Sequence, residues 1–337
     1  MAVASSTFDT AGDRSSAVPR WLHACAVFTV IAAFPLLFLG AEVTTHQLGM
    51  VDQVGMRTPW HLWEVASEKI EEGNWGFLIE HSHRTFGWLV GASSIILAVG
   101  LYLTQKKHGL RWLGIACLSA VTIQGLLGKY RVDAFRLVGP DFANELALVH
   151  GCFAQLVFAL LVSAAYLTGQ SSSGRGLHVE PAGQRKATGF RKLALFTAAL
   201  IYGQVVLGAI TRHSSAAWGP RLHLLTAFVV VGMVVTLWLK QSADGRLTTA
   251  LRVMTLLVGM QLILGLEAWI TKFATPSVVQ LRPLVSNATF RDLPRSLHAL
   301  TGALLFASSM VVVLQAWLPV SEKIGSVASL RRLKGSL

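Results

Sequence analysis

Charge is scarce in this chain. Asp, Glu, Lys and Arg together make up 14% of its 337 residues, whereas 53% are hydrophobic, and the mean hydropathy is +0.54. A soluble domain carries about a quarter charged residues, so a soluble globular protein is excluded. Acidic residues are the scarcer sign, with 17 Asp+Glu against 29 Lys+Arg. Cysteine is nearly absent. Cys25, Cys117 and Cys152 all lie in or beside apolar stretches and no two of them have a metal-ligand spacing, so they read as packing residues. Neither HxxxH nor CxxC occurs, which removes the usual signatures of a zinc site with its three or four converging ligands.

What the chain has in abundance is long apolar runs. Windows at roughly 21–41, 85–104, 112–128, 146–168, 193–211, 222–239, 251–270 and 297–318 are long enough, or nearly so, to cross a bilayer. A bilayer core cannot solvate open backbone, so the spans are helical. The expected fold is an all-α polytopic membrane protein of eight transmembrane helices, built as two pseudo-symmetric four-helix bundles. Arg14 and Arg20 precede the first apolar run as they would in a signal peptide, but that run continues for about 20 residues and shares the repeat described below, so it is read as an uncleaved helix. The net charge of +12 is placed by sidedness. With the N-terminus inside, segments 1–20, 104–111, 170–192, 240–252 and 320–337 hold 17 Lys+Arg against 5 Asp+Glu, and the remaining segments hold 12 of each. All the excess positive charge therefore falls on one side, which puts both termini in the cytoplasm. The basic residues orient the protein and favour anionic lipid; they are not a nucleic-acid footprint.

The spans carry a repeat. Odd-numbered spans end in "LLFLGAEVT" (36–44), "IQGLLGKYR" (123–131), "GQVVLGAIT" (203–211) and "MQLILGLEA" (260–268), each with a Leu-Gly at Gly40, Gly128, Gly208 or Gly265. In the last three a Gln precedes the Gly by four residues: Gln124, Gln204 and Gln261. These read as hydrogen bonders between helices. Even-numbered spans each begin with one histidine: His83, His150, His223 and His298. The chain thus divides into an N-terminal four-helix half (21–168), a Gly/Ser-rich basic linker (169–192) and a C-terminal four-helix half (193–318). The end of an odd span and the start of the next share one side of the membrane, so all four histidines and glycines sit toward the outer face. The small glycine permits close approach of a neighbouring helix or a flat ligand.

A single histidine at a helix end is an ordinary interfacial residue; four at equivalent positions call for a function. Two imidazoles from facing helices form the axial pair of a haem iron. The expected sites are His83 with His150, and His223 with His298. Haem propionates are anionic and point toward water, so Arg84, Arg131, Arg212 and Arg295 are candidate propionate contacts at that level, against the plainer role of snorkelling anchors. His23, His108 and His178 lie on the inner side, and His46, His61, His81 and His213 in outer loops or at helix starts; of these, His81 and His213 are close enough to support the sites. Glu80 stands three residues before His83, sharing its helix face, and four before Arg84, where a simple ion pair competes with a catalytic role. At the same offset the other three histidines have Ala147, Pro220 and Arg295. A carboxylate in only one half suggests that one haem is worked upon while the other carries electrons.

The motifs "EHSHRTFG" (80–87), "IQGLLGKYRV" (123–132), "LVHGCFAQLVF" (148–158), "GQVVLGAITRHS" (203–214), "PRLHLLTA" (220–227) and "RSLHALTG" (295–302) occur in order, and over roughly residues 30 to 315 the sequence resembles the haem A synthase (CtaA) family. The resemblance implies oxidation of the C8 methyl of haem O to a formyl group, through an alcohol and a gem-diol, to give haem A for terminal oxidases. It implies substrate haem on His83 and His150, a haem b cofactor on His223 and His298, and Glu80 as the essential acidic residue, stabilising a cation or accepting a proton. The expected partners are haem O, an unidentified electron acceptor, membrane lipid, haem O synthase, and a cytochrome oxidase or its assembly factors; the expected location is a bacterial-type plasma membrane. Two features depart from the family pattern. Many members carry a cysteine pair in the first outer loop, whereas residues 42–79 contain none, and the usual Gly-Gly before Arg-Val is Gly128-Lys129. Two other function classes accommodate four histidines. A dihaem cytochrome taking electrons from quinol leaves Glu80 without a task, and a haem transporter or chaperone requires only labile ligation.

Overall fold

The computed structural model describes residues 17–46, 48–49, 69, 71–106, 108–172, 184–241, 245–273 and 288–318, with no side-chain description at 184–187, 245–246, 271–273 and 288–291. Among the described residues the chain forms eight long helices and no strand. They are α1 (Arg20–Thr45), α2 (Trp75–Thr104), α3 (His108–Leu137), α4 (Pro140–Ser172), α5 (Gln184–His213), α6 (Trp218–Lys240), α7 (Gly245–Phe273) and α8 (Ala288–Trp317). Each contains a stretch long and apolar enough to cross a membrane. The protein is an all-α integral membrane protein.

The helices outrun the apolar windows. The third window, about 17 residues by hydropathy, sits inside a 30-residue helix, α3, and α2 begins at Trp75 rather than at 85. Asn74 starts α2: its side chain accepts the Phe77 amide at 3.1 Å, satisfying a donor that the helix leaves orphaned. Glu80, His81, His83 and Arg84 consequently lie in the second and third turns of α2, not at its opening. Once two spans are joined by a short connection, the ladder continues through polar residues, because extending a helix adds one bond per residue fixed. The same extension occupies both ends of segment 169–192: α4 runs to Ser172 and α5 starts at Gln184. The rest of that expected linker, 173–183, lies outside the described residues, as do the inner-side His178 and the loop residue His61.

Contacts run α1–α2–α3–α4 and back to α1, then α5–α6–α7–α8 and back to α5, with α4 and α1 against α8 and α4 against α5 between the two sets. One apolar cluster threads through both sets. It includes Ala32, Ala33, Val157, Ala159 and Ala164 from the first and Ala194, Ala198, Ala303 and Ala307 from the second. Hydrocarbon tails are as apolar as leucine, so helices in lipid gain from close van der Waals approach rather than from burial, which is why small residues concentrate at these seams. Large apolar side chains such as Ile31, Leu103, Leu225 and Ile263 are exposed where lipid would lie.

Candidate haem-binding site

The repeated glycine is the seat of the repeated histidine. A Cβ added at Gly40 would come within 2.8 Å of His83 Cε1; the corresponding distance is 3.1 Å from Gly128 to His150, 3.3 Å from Gly208 to His223 and 3.0 Å from Gly265 to His298. In each case the imidazole of an even helix packs through its Cε1 against the bare backbone of the preceding odd helix. The packing alone is not a ligand signature, since His23 of α1 rests on Gly169 of α4 in the same way, with its Nδ1 3.3 Å from Thr168 Oγ1. What distinguishes the four is their common level, and what surrounds their nitrogens.

The residue four before each seat glycine fixes the histidine. In α1 this is Leu36, whose carbonyl accepts from His83 Nδ1 at 3.0 Å. A carbonyl only accepts, so Nδ1 carries the proton and Nε2 keeps its lone pair. In α3 it is Gln124, whose amide donates to the His150 carbonyl at 3.1 Å and lies 3.2 and 3.3 Å from the two ring nitrogens. In α5 it is Gln204, donating to the His223 carbonyl at 3.1 Å and to Thr226 Oγ1 at 2.7 Å. In α7 it is Gln261, whose amide reaches His298 Nε2 at 3.1 Å. The glutamines are hydrogen bonders between helices, as expected, and their particular object is the histidine turn.

His223 and His298 face each other with ring centroids 6.1 Å apart and planes at 83°. Imidazole–metal bonds of about 2 Å, with a ring centroid roughly 1 Å beyond the ligating nitrogen, place two axial rings about 6 Å apart. The observed spacing fits an iron between them. His223 Nδ1 and His298 Nδ1 are buried without a hydrogen-bond partner, an expense that packing residues normally avoid. The Gln261 amide occupies His298 Nε2, so a metal at that nitrogen displaces this contact. His83 and His150 are near enough to interact electrostatically, and Arg131 lies within reach of both and of Glu80. Among the described residues no three His, Cys, Asp or Glu side chains converge as a metal centre; an axial pair involves only two.

The acidic residues divide differently from the sequence expectation. Glu80 is 2% exposed, and its Oε1 is 2.5 Å from Arg84 Nη2, so the ion pair weighed from the sequence does form, and it is buried. A carboxylate is not confined to one half, however. Asp292, 7% exposed, sits on α8 six residues before His298 and pairs with Arg295 at 3.0 Å. The comparison at a fixed offset of three residues missed it, although the Asp-x-x-Arg spacing in "RDLPRSLH" was the available signal. Glu42, two residues past Gly40, was also missed; it meets His46 Nε2 at 3.2 Å, and its Oε1 is buried and unpartnered.

The remaining candidates separate clearly. His81 is 2% exposed and stacks on Phe77 at 5.4 Å, a core position on α2. His213 bonds through Nδ1 to Asn144 Oδ1 at 2.9 Å, linking α5 to α4. Arg212 donates from Nη2 to the Ala41 carbonyl at 2.9 Å and to Thr45 Oγ1 at 2.5 Å, so α1 engages it. Arg295 keeps a buried Nε with no partner, a donor suited to an anion. Cys117 and Cys152 are buried and Cys25 is half-buried; all three are free thiols.

Comparison with known proteins finds likenesses over part of the chain. Residues 63–220 match the cytochrome oxidase assembly protein family (COX15-CtaA), a segment that includes Glu80, His83, His150 and Arg212 and ends before His223 and His298. The chain is 32% identical over 197 residues to a protein named Heme A synthase from Alkalihalophilus pseudofirmus (strain ATCC BAA-2126 / JCM 17055 / OF4), an alignment covering 57% of this chain and 59% of that protein. It thus spans under two-thirds of that relative's length. No solved structure gives a significant match. These likenesses bear out the resemblance to the CtaA family that the motifs raised.

Proposed function

We propose that this chain, related to the CtaA family through residues 63–220, is a haem A synthase that oxidises the C8 methyl of haem O to a formyl group. One observation carries the reading. In the matched segment, a buried carboxylate, Glu80, stands one helical turn from His83, whose Nδ1 proton is tied to Leu36 so that Nε2 is free to ligate. His83 and His150 would hold the substrate haem between α2 and α4, with Glu80 one helical turn from His83. Glu80 would then either stabilise positive charge developing at the methyl or take its proton, with the Arg84 guanidinium paired to it. Arg131, and Arg295 through the Nε that its pairing with Asp292 leaves unpartnered, would hold the propionates, while Arg84 is engaged by Glu80 and Arg212 by α1. The substrate pair, His83 and His150, lies in the N-terminal half and the cofactor ligands, His223 and His298, in the C-terminal half, where haem b, when bound, would carry electrons onward. The histidine end of the bundle faces the outer side of a bacterial-type plasma membrane, with both termini in the cytoplasm. Haem O synthase delivers the substrate, and a cytochrome oxidase or its assembly factors receive the product.

The test is pigment extraction and mass analysis after expression beside a haem O synthase. Haem A, or the intermediate alcohol, is the expected product. Recovery of only haem b and unaltered haem O would overturn the reading in favour of a dihaem cytochrome or a haem carrier.

A further inference from the structure

One guanidinium joins the two histidine pairs. Arg212 ends α5, four residues beyond Gly208, the seat of His223. Its Nη2 reaches across to α1 and donates to the carbonyl of Ala41, the residue next to Gly40, which seats His83. The same nitrogen donates to Thr45 Oγ1, and that hydroxyl is 3.0 Å from Ser296 Oγ on α8, two residues before His298. Ser296 is fully buried. The adjacent residue, His213, ties α5 to Asn144 of α4. Glu42, on the same turn of α1, is within electrostatic reach of Arg212, as are the guanidiniums of Arg131 and Arg295.

Such a junction matters because of the solvent. Apolar contact between helices has little drive in hydrocarbon, so polar ties at the ends of the bundle have a large say in how its parts align. A guanidinium also suits the C-terminal end of α1, where the helix dipole is negative. Arginine offers several donors in a planar fork, so it can hold a carbonyl and a hydroxyl together where a single point charge holds them less firmly.

We propose that Arg212 is a positioning residue that fixes the two histidine pairs relative to each other, rather than a ligand of either haem. The inference rests on the reading of two haem sites for its purpose, but its structural content does not. When both pairs are loaded, one electron passes from a ferrous iron at one pair to a ferric iron at the other with no bond made or broken, and the rate depends on their separation being held.

The experiment uses the full chain with its three cysteines replaced by alanine and spin labels at Tyr130 on α3 and Trp218 on α6, both exposed at the histidine end. A second pair, Tyr130 with Trp88, stays within the first ring of helices. Wild type is expected to give one narrow distance between Tyr130 and Trp218. Arg212→Gln is expected to shift or broaden it by roughly 1–2 Å, the scale of helix shifts at interfaces, while the Tyr130–Trp88 distance stays narrow. Thr45→Val, which keeps the guanidinium and removes one acceptor, should give a smaller change in the same direction, and it serves if the Gln variant does not fold. In protein loaded with haem, Arg212→Gln should slow electron exchange between the pairs at unchanged haem b content and spectrum. An unaltered Tyr130–Trp218 distance in the variants would overturn the proposal, and so would loss of haem b with that distance unaltered, which would make Arg212 a propionate ligand. Absence of haem from the wild type sinks the two-site reading instead, and the label distances still judge the clasp.

Discussion

Glu80 shows how far a residue can be read from its neighbours. Its spacing to His83 and Arg84 was legible, and so were both roles that the spacing permits, but not that the ion pair would be buried in the second turn of a longer helix. That depth changes the test. Breaking a buried pair by removing one partner costs about 3–5 kcal/mol because it strands the other charge, whereas a surface pair contributes under ~1 kcal/mol. Glu80→Gln alone therefore confounds folding with chemistry. In the double variant Glu80→Gln/Arg84→Met neither charge remains, and stability should recover most of the loss. If Glu80 acts on the substrate methyl, haem A formation should still fall by a factor of about 10² to 10⁴, with haem O or the partly oxidised alcohol accumulating and haem b content normal. Near-normal haem A from the folded double variant would reduce Glu80 to an ion-pair partner. Asp292 was overlooked for a different reason. Its pairing with Arg295, three residues on, was legible from spacing, but a carboxylate six residues from a histidine is far in sequence, and its burial depends on how α8 packs.

At the scale of the helix, the Leu-Gly repeat was visible and its partner was not. Sequence allowed the glycine to face a helix or a flat ligand; the structure sets an imidazole on it in all four places. The glutamine four before the glycine in three of the helices was likewise seen as a general hydrogen bonder, while its object, the histidine turn, depends on the register of neighbouring helices, which no single helix encodes. The glycine seats lead to a graded prediction. Alanine puts a Cβ 2.8 Å from the His83 ring at Gly40, 3.0 Å from His298 at Gly265 and 3.3 Å from His223 at Gly208. Overpacking of this kind typically costs about 1–3 kcal/mol, and here it also pushes the ring off its axis. Gly265→Ala should deplete haem b more than Gly208→Ala does, and Gly40→Ala should spare haem b but block haem A formation. Difference spectra of purified variants, with pigment analysis beside them, check the order. Full haem b in Gly265→Ala would mean that the seat does not set ligation.

For the whole molecule, eight spans and helical structure followed from hydropathy, because bilayer thickness constrains apolar length and the backbone must satisfy itself. Helix ends did not follow, since a lone hydropathy window stops where polar residues begin and a helix does not. Orientation is the property that charge alone decides. The segments joining even spans to the next odd ones, with the two termini, carry an excess of 12 basic residues, and the others are balanced. A short loop bearing a Lys/Arg excess is retained inside. Residues 170–190 contribute Arg175, Arg185 and Lys186 with one acid, Glu180, so a cytoplasm-active reporter inserted there should be active. An export-dependent reporter inserted within 55–75, between α1 and α2, should be active on the opposite side. The two must agree, because α2, α3 and α4 lie between them and three crossings exchange the sides. Activity of the export-dependent reporter at 170–190 would turn the bundle over. It would bring the four histidine seats to the cytoplasmic face and have haem O processed on the inner side of the membrane.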